Sequence, residues 1–397
     1  MLTSLALIFL CGMLLGSLFQ KLRLPSLLGM LITGIILGPY ALNLLDGSIL
    51  SISADLRQLA LIIILTRAGL SLDLNDLKRV GRPAILMCFV PACFEILGMI
   101  VLAPKLLGIS VLEAAIMGAV VAAVSPAVVV PKMLNLMENG YGMNMSIPQL
   151  IMAGASVDDV FVIVMFTAFT GLAKGEAISA LSFAQIPISI ITGLVVGILL
   201  GVLLSVVFKK IHVRDSAKVV ILLSLSFLLV AAESVLEGFV PFSGLLAVMA
   251  VGVAIQRQRS ELADRLSSKF SKLWVAAEIL LFVLVGVTVD IQYALVSGGA
   301  TILLIFGALL FRMLGVFVCL IKTKLNMKER LFCMIAYTPK ATVQAAIGSL
   351  PLAMGLLCGQ IVLTVAVLSI LITAPLGAFG IDLTYKKLLI RQLKRSA

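Results

Sequence analysis

Charge is scarce in this chain. Only 12% of its 397 residues are Asp, Glu, Lys or Arg, against 61% hydrophobic residues and a mean hydropathy of +1.21. Soluble globular domains carry roughly a quarter charged residues, so that class is excluded. Period-two alternation of polarity is also missing, which excludes the strands of a transmembrane β-barrel. No basic stretch precedes the first apolar run, so a cleaved signal peptide is not expected. Ile8-Phe9-Leu10-Cys11 is a poor lipoprotein cleavage site. Aromatic residues that could line an organic-solute pocket are few, with one Trp (Trp274) and five Tyr. The six cysteines (Cys11, Cys88, Cys93, Cys319, Cys333, Cys358) lie in apolar runs without metal-ligand spacing and read as small buried hydrophobes. The single His212 sits in a basic loop and reads as solvated.

What is present is a succession of apolar runs, each about 20 residues, from Leu2 to Phe379. They predict an all-α polytopic membrane protein with thirteen spans, at about 2–20, 25–40, 55–71, 83–103, 111–134, 148–173, 184–208, 217–236, 241–256, 271–289, 299–321, 329–350 and 356–380. The net charge of +11 could suggest a nucleic-acid partner, but its placement argues against one. Loops after the odd-numbered spans, with the C-terminal tail, hold 24 of the 30 Lys and Arg residues. The opposite loops hold only Arg57, Lys105 and Lys174, and three more (Arg67, Arg312, Lys340) fall inside spans. The positive-inside rule then puts the N-terminus outside and the C-terminus in the cytoplasm. The expected location is a bacterial cytoplasmic membrane, with lipid as the surrounding partner.

Two halves of the chain resemble each other. Leu61 to Asp73 and Glu278 to Asp290 both end Gly-x-Ser/Thr-x-Asp, at an offset of 217. Glu95 and Arg312 share that offset, and Pro25 and Pro241 differ by 216. Ser125-Pro126 and Thr338-Pro339 differ by 213, which a short loop deletion would explain. Seven spans separate each pair. Seven is odd, so the copies face opposite ways across the bilayer, as in the inverted repeats of secondary transporters. The repeats are expected at about 25–173 and 241–380, with linking helices at about 184–236.

Proline inside a helix removes a hydrogen bond and clashes with the preceding turn. Pro126 and Pro339 interrupt spans five and twelve near their middles, at equivalent places in the two repeats. They read either as simple kinks or as breaks in two crossing helices; the repeat symmetry and the neighbouring charges favour crossing. Ionisable residues gather at the same depth. An ionisable side chain at mid-bilayer costs about 3 kcal/mol on insertion scales and marks a functional site by default. Asp158 and Asp159 lie about ten residues into span six, roughly 15 Å deep. Glu95, Ser125, Arg312 and Lys340 come out at similar depth. The two aspartates point about 100° apart, so one can face a water-filled cavity and the other a neighbouring helix. Burial and like-charge repulsion disfavour two ionised carboxylates side by side. Protonation and cation occupancy then exclude each other at one site, which is the logic of antiport. Glu95 reads equally as a structural partner of Arg312 or as an ion ligand. Lys340 reads either as neutralising the negative half-helix ends or as pairing with an acid until a cation arrives. Arg67 reads as a partner of Asp73, and Glu278 as structural.

Five stretches taken together resemble the monovalent cation:proton antiporters, most closely the NHA-type sodium/proton antiporters with two adjacent aspartates. They are PSLLGMLITGIILGP from Pro25, TRAGLSLD from Thr66, AVSPAVVVP from Ala123, AGASVDDV from Ala153 and PKATVQAAIG from Pro339. The resemblance implies the sodium/proton antiporter fold and a single transporter domain over 1–397. It implies a homodimer whose scaffold helices are about 2–71 and 184–289, and an ion-transport core at about 83–173 and 299–380 that moves like an elevator. It implies Asp159 as principal ligand of the transported cation, Asp158 beside it, Ser125 lining the site, and a Glu–basic pairing of Glu95, Arg312 and Lys340. The transported species would be Na⁺ or Li⁺, or K⁺, against H⁺, with no resident cofactor and no enzymatic activity. Within the superfamily a double aspartate goes with electrogenic exchange, and a Glu on span four with an Arg on span eleven goes with the electroneutral branch. This chain carries both.

Other functions fit less well. A sodium-coupled symporter of a small organic anion would need a polar and aromatic solute pocket. An intramembrane aspartyl protease needs aspartates opposed across a substrate, which neighbours on one helix cannot supply. A passive channel has no need of an inverted repeat.

Overall fold

The computed structural model describes residues 1–22, 24–72, 81–173, 180–210, 213–236, 240–289 and 291–391. Asp73, Asp290, Lys78, Arg79, Lys174 and His212 lie outside the described residues, so the expected Arg67–Asp73 pair and the solvated His212 do too. Among the described residues the secondary structure is helical apart from one isolated bridge between Tyr141 and Arg391. The helices are α1 (Leu2–Lys21), α2 (Ser26–Leu37), α3 (Ser53–Ser71), α4 (Arg82–Met87), α5 (Val90–Leu107), α6 (Val111–Val121), α7 (Pro126–Glu138), α8 (Ile147–Ala173) and α9 (Ala180–Lys210). They continue as α10 (Asp215–Leu236), α11 (Gly244–Gln258), α12 (Ser260–Val287), α13 (Ile291–Cys319), α14 (Met327–Ala336), α15 (Thr342–Ile347), α16 (Leu350–Ala353) and α17 (Gly359–Leu388). Short helical turns at Gly47–Ser51 and Met143–Met145 complete the set.

Nine helical segments among the described residues are long and apolar enough to cross a membrane. The protein is therefore an integral, multi-pass membrane protein. Four of the thirteen expected spans coincide with shorter or more polar helices: α2, α3, α11, and the α14–α16 series. Two breaks were not expected. Span four divides between α4 and α5, and the second half of span twelve divides between α15 and α16. Pro91 and Pro351 stand within the first two positions after these breaks, where a missing N–H breaks no intrahelical bond. Arg57, counted with the outer loops, lies within α3, four residues past its start, and is buried.

The chain divides into two compact units. One comprises residues 1–51, 75–166 and 282–397; the other comprises 52–74 and 167–281. In the first, α5 packs along α13, α1 along α2, and α17 against α6, α14 and α16. Its apolar core includes Met87, Val129, Ile151, Phe332 and Tyr337. In the second, α11 packs against α3, α9 and α10.

The repeat is visible in how helices touch. In the first unit α2 and α12 approach until a Cβ on Gly34 would strike the carbonyl of Val283, and one on Gly286 the carbonyl of Leu31. In the second unit a Cβ on Gly69 would strike the carbonyl of Met249, and one on Gly252 the backbone of Gly69. Shifted by 217, Gly69 falls on Gly286 and Gly34 falls beside Gly252. One helix crossing is thus built twice. The same holds for α5 and α13: Gly98 admits the ring of Phe311, and Gly315 admits the side chain of Phe94. Gly34→Val and Gly69→Val should each lower thermal stability in detergent by about 1–3 kcal/mol, the cost of overpacking a tight contact. Gly47→Ala, which meets nothing within 4 Å, should leave it within about 0.5 kcal/mol. Thermal unfolding of the three variants checks this; equal behaviour of Gly34→Val and Gly47→Ala would refute the close crossing.

Candidate functional site

The two interrupted helices start alike. Ser110 and Glu113 form a capping box at the head of α6, and Asn326 and Glu329 form one at the head of α14, 216 residues on. Each box satisfies two N–H groups that a helix start leaves unpaired. Both helices then stop at mid-run. α6 ends at Val121, residues 122–125 are non-helical, and Pro126 opens α7. α14 ends at Ala336, residues 338–341 are non-helical, and Thr342 opens α15. The expected breaks at Pro126 and Pro339 are both found, although the prolines are not equivalent. Pro126 begins a helix, whereas Pro339 lies inside its gap. The register of 217 runs through both gaps and needs no loop deletion, because Ser125 faces Thr342, its own repeat partner, with Oγ and Oγ1 3.5 Å apart.

The gaps meet. The N–H of Ser125 donates to the carbonyl of Pro339 (2.8 Å). The amide of Gln344, on α15, donates from Nε2 to the carbonyls of Val121 (3.0 Å) and Ala123 (2.9 Å). These are crossing discontinuous helices, with backbone at membrane depth satisfied by protein, as a low-dielectric setting demands.

Arg312, on α13, lies at the crossing and is fully buried. Its Nε donates to the carbonyl of Tyr337 (2.7 Å), its Nη1 to Glu95 Oε2 (2.9 Å) and to the carbonyl of Ala122, and its Nη2 to Asp158 Oδ2 (2.6 Å). The guanidinium also lies over the ring of Tyr337, 5.0 Å from its centroid. Ala122 and Tyr337 each follow the last residue of a half-helix, where about half a negative charge accumulates. A planar cation with a fixed fork of donors can serve both ends and two carboxylates at once. Lys340, also fully buried, donates from Nζ to the same Glu95 Oε2 (2.5 Å), and its backbone N–H donates to Thr373 Oγ1 (2.9 Å). Of its two expected positions, Lys340 therefore takes the one beside an acid, and the half-helix ends fall to Arg312 and Gln344.

Glu95 and Arg312 are repeat equivalents in direct contact, which puts them on the pseudo-two-fold axis. The two aspartates of α8 separate as their 100° spacing predicts. Asp158 is fully buried and accepts at Oδ2 from Arg312 and from the N–H of Val124 (2.8 Å), inside the first gap. Asp159 is partly exposed as a residue, but its Oδ1 is buried without a hydrogen-bond partner. Glu95 and Asp158 carry two negative charges against the two positive charges of Arg312 and Lys340. The Asp159 carboxylate is left outside that balance. Glu95 Oε1, Asp158 Oδ1 and Gln344 Oε1 are also buried and without partners.

All the expected site residues in the first unit thus converge. Glu95, Asp158, Arg312 and Lys340 belong to one hydrogen-bonded network, Ser125 joins the two gaps through Pro339 and Thr342, and Asp159 follows Asp158 on α8. Arg67 and Glu278 lie elsewhere, in the second unit, near enough for their charges to interact. Sequence reasoning missed Gln344, Tyr337, Thr342 and Thr373. Gln344 and Thr342 belong to the conspicuous PKATVQAAIG stretch, and a buried amide two residues past Thr342 could have been singled out there.

Comparison with known proteins agrees with this geometry. Residues 5–387 match the family model described as "Sodium/hydrogen exchanger, transmembrane". The chain is 34% identical over 405 residues to Sodium/hydrogen exchanger 9B2 of Homo sapiens, covering 96% of this chain and 74% of that protein. It is 31% identical over 409 residues to Sodium/hydrogen exchanger 9B1 of Homo sapiens, covering 98% and 78%. In fold it is similar to the sodium proton antiporter MjNhaP1 from Methanocaldococcus jannaschii, with a TM-score of 0.84 at 21% identity over 98% of each chain. An all-helical membrane chain with crossing broken helices, matched along nearly its whole length, belongs to the transmembrane sodium/hydrogen exchanger family.

Proposed function

We propose that this protein is a secondary active transporter, not an enzyme, exchanging a monovalent cation (Na⁺ or Li⁺, or K⁺) for protons. The observation that carries the reading is Asp159 Oδ1, a buried carboxylate oxygen without a partner beside a charge-balanced quartet of Glu95, Asp158, Arg312 and Lys340. A lone buried carboxylate is neutralised either by a proton or by a cation, and occupancy by one excludes the other. Asp159 is the principal ligand, Asp158 and Ser125 sit beside it, and Glu95, Arg312 and Lys340 hold the site's charge and shape.

The transport core comprises residues at about 83–173 and 299–380 and moves elevator-fashion. The scaffold at about 2–71 and 184–289 joins two copies into a homodimer. The loop charges put the N-terminus outside and the C-terminus in the cytoplasm. The animal and archaeal relatives named above lend no weight to a bacterial membrane in particular.

The test is reconstitution in liposomes with an imposed pH gradient, adding Na⁺, Li⁺ or K⁺ in turn. Collapse of the gradient by at least one of the three is expected. A gradient indifferent to all three would refute antiport.

A further inference from the structure

Gln344 is 1% exposed and makes an unusual choice with its amide. Both partners of Nε2 are carbonyl oxygens, which accept only, so the amide cannot be turned the other way round. Those carbonyls, of Val121 and Ala123, flank Ala122, whose own carbonyl holds Arg312. The next N–H along, that of Val124, holds Asp158. The donors of Gln344 thus fix the stretch of backbone that carries both Arg312 and Asp158. Its acceptor, Oε1, is buried and has no partner. A buried carbonyl left without a donor is destabilising, so the arrangement is not explained by stability.

Three unpartnered carboxylate oxygens of the site are of the same kind. Glu95 Oε1, Asp158 Oδ1 and Asp159 Oδ1 are acceptors as well, and the three donating nitrogens of Arg312 are all engaged. Buried acceptor oxygens with no donor to serve them are what a desolvated hard cation requires. The aspartates come from α8, and Gln344 comes from the first turn of the second broken helix.

Resting on the antiport reading above, we propose that Gln344 Oε1 is a neutral ligand of the transported monovalent cation. It would meet the ion from α15 while the aspartates meet it from α8. As an uncharged oxygen it adds coordination without adding to the negative charge that a proton must neutralise. Its loss should therefore weaken cation binding.

The test compares wild type with Gln344→Met and Asp159→Asn in liposomes and in detergent, with Na⁺ as the probe. Gln344→Met should raise the KM for Na⁺ at least about five- to tenfold, the scale of one lost polar contact, and lower the Na⁺-free Tm, because the carbonyls of Val121 and Ala123 lose their donor. It should also lose most of the Na⁺-induced rise in Tm. If its Na⁺-free Tm falls while KM and the Na⁺-induced rise are unchanged, Gln344 only holds backbone and the proposal fails. If wild type shows no Na⁺-dependent exchange, the antiport reading itself fails, and the two failures are distinct. Should Gln344→Met not fold, wild-type protein with ¹³C-labelled glutamine is measured by infrared difference spectroscopy with and without Na⁺. A shifted side-chain carbonyl band is expected, and no shift overturns the proposal.

Discussion

Asp159→Asn is expected to abolish cation-dependent proton movement while the protein keeps its fold. Its Oδ1 has no hydrogen bond to lose, and removing a buried charge outside the balanced quartet costs the native state nothing. Thermal stability should stay level or rise by about 1 kcal/mol, within the range of substitutions that break no contact. Asp158→Asn should behave differently. Its carboxylate accepts from Arg312 and from Val124 at the first gap. Neutralising it leaves a buried guanidinium partly uncompensated, a class of change worth about 3–5 kcal/mol. Both variants should lose transport, but only Asp158→Asn should lose stability with it. Liposome flux and thermal unfolding of the two proteins, run side by side, separate the roles. Equal destabilisation of both would mean that Asp159 is a structural acid, and the ion site would have to be sought elsewhere.

That division between neighbours was half legible in the sequence. Period 3.6 guarantees that adjacent residues face apart, but it does not say which one meets Arg312. The choice follows from where the first gap presents the N–H of Val124, and a gap is a tertiary arrangement. The membrane class and the existence of the repeat were legible because bilayer thickness and inverted symmetry both leave marks at long range. The offset of 217 between Glu95 and Arg312 is the best case, since two residues related by a two-fold axis must meet if they lie on it. The prolines misled in detail. Pro126 and Pro339 mark both breaks, yet a proline fits several positions around a helix start, so the residues themselves were not in register. Gln344 was harder to single out for another reason. An amide in an apolar run looks like a mild defect until the carbonyl ends it caps are placed beside it. Lys340 illustrates the same limit: its two readings are equally consistent with a buried base, and only the position of Glu95 Oε2 favours one of them.

Exchanging the charges of Glu95 and Arg312 should not restore what either single reversal destroys. In an isolated salt bridge, inversion conserves the pair and much of its energy. Here the pair is symmetric in the repeat but its surroundings are not. A glutamate at 312 would face the carbonyls of Ala122 and Tyr337 and the carboxylate of Asp158, all acceptors. An arginine at 95 would face the ammonium of Lys340. The repeat counterpart of Asp158 is Pro375, so no acid awaits the relocated arginine on the other side of the axis. Each single reversal adds a repulsive buried contact to the loss of an attractive one, so each should exceed the roughly 3–5 kcal/mol of simple removal. The double variant should be no more stable than the worse single, and inactive. Folded yield and thermal unfolding of Glu95→Arg, Arg312→Glu and the double mutant provide the cycle. Recovery of the double to near wild-type stability would show that the pair stands alone, and that neither Asp158 nor the half-helix ends depend on which member carries the positive charge. The lopsided outcome is expected because a duplicated scaffold with a single aspartate pair has lost its symmetry at the proposed ion site.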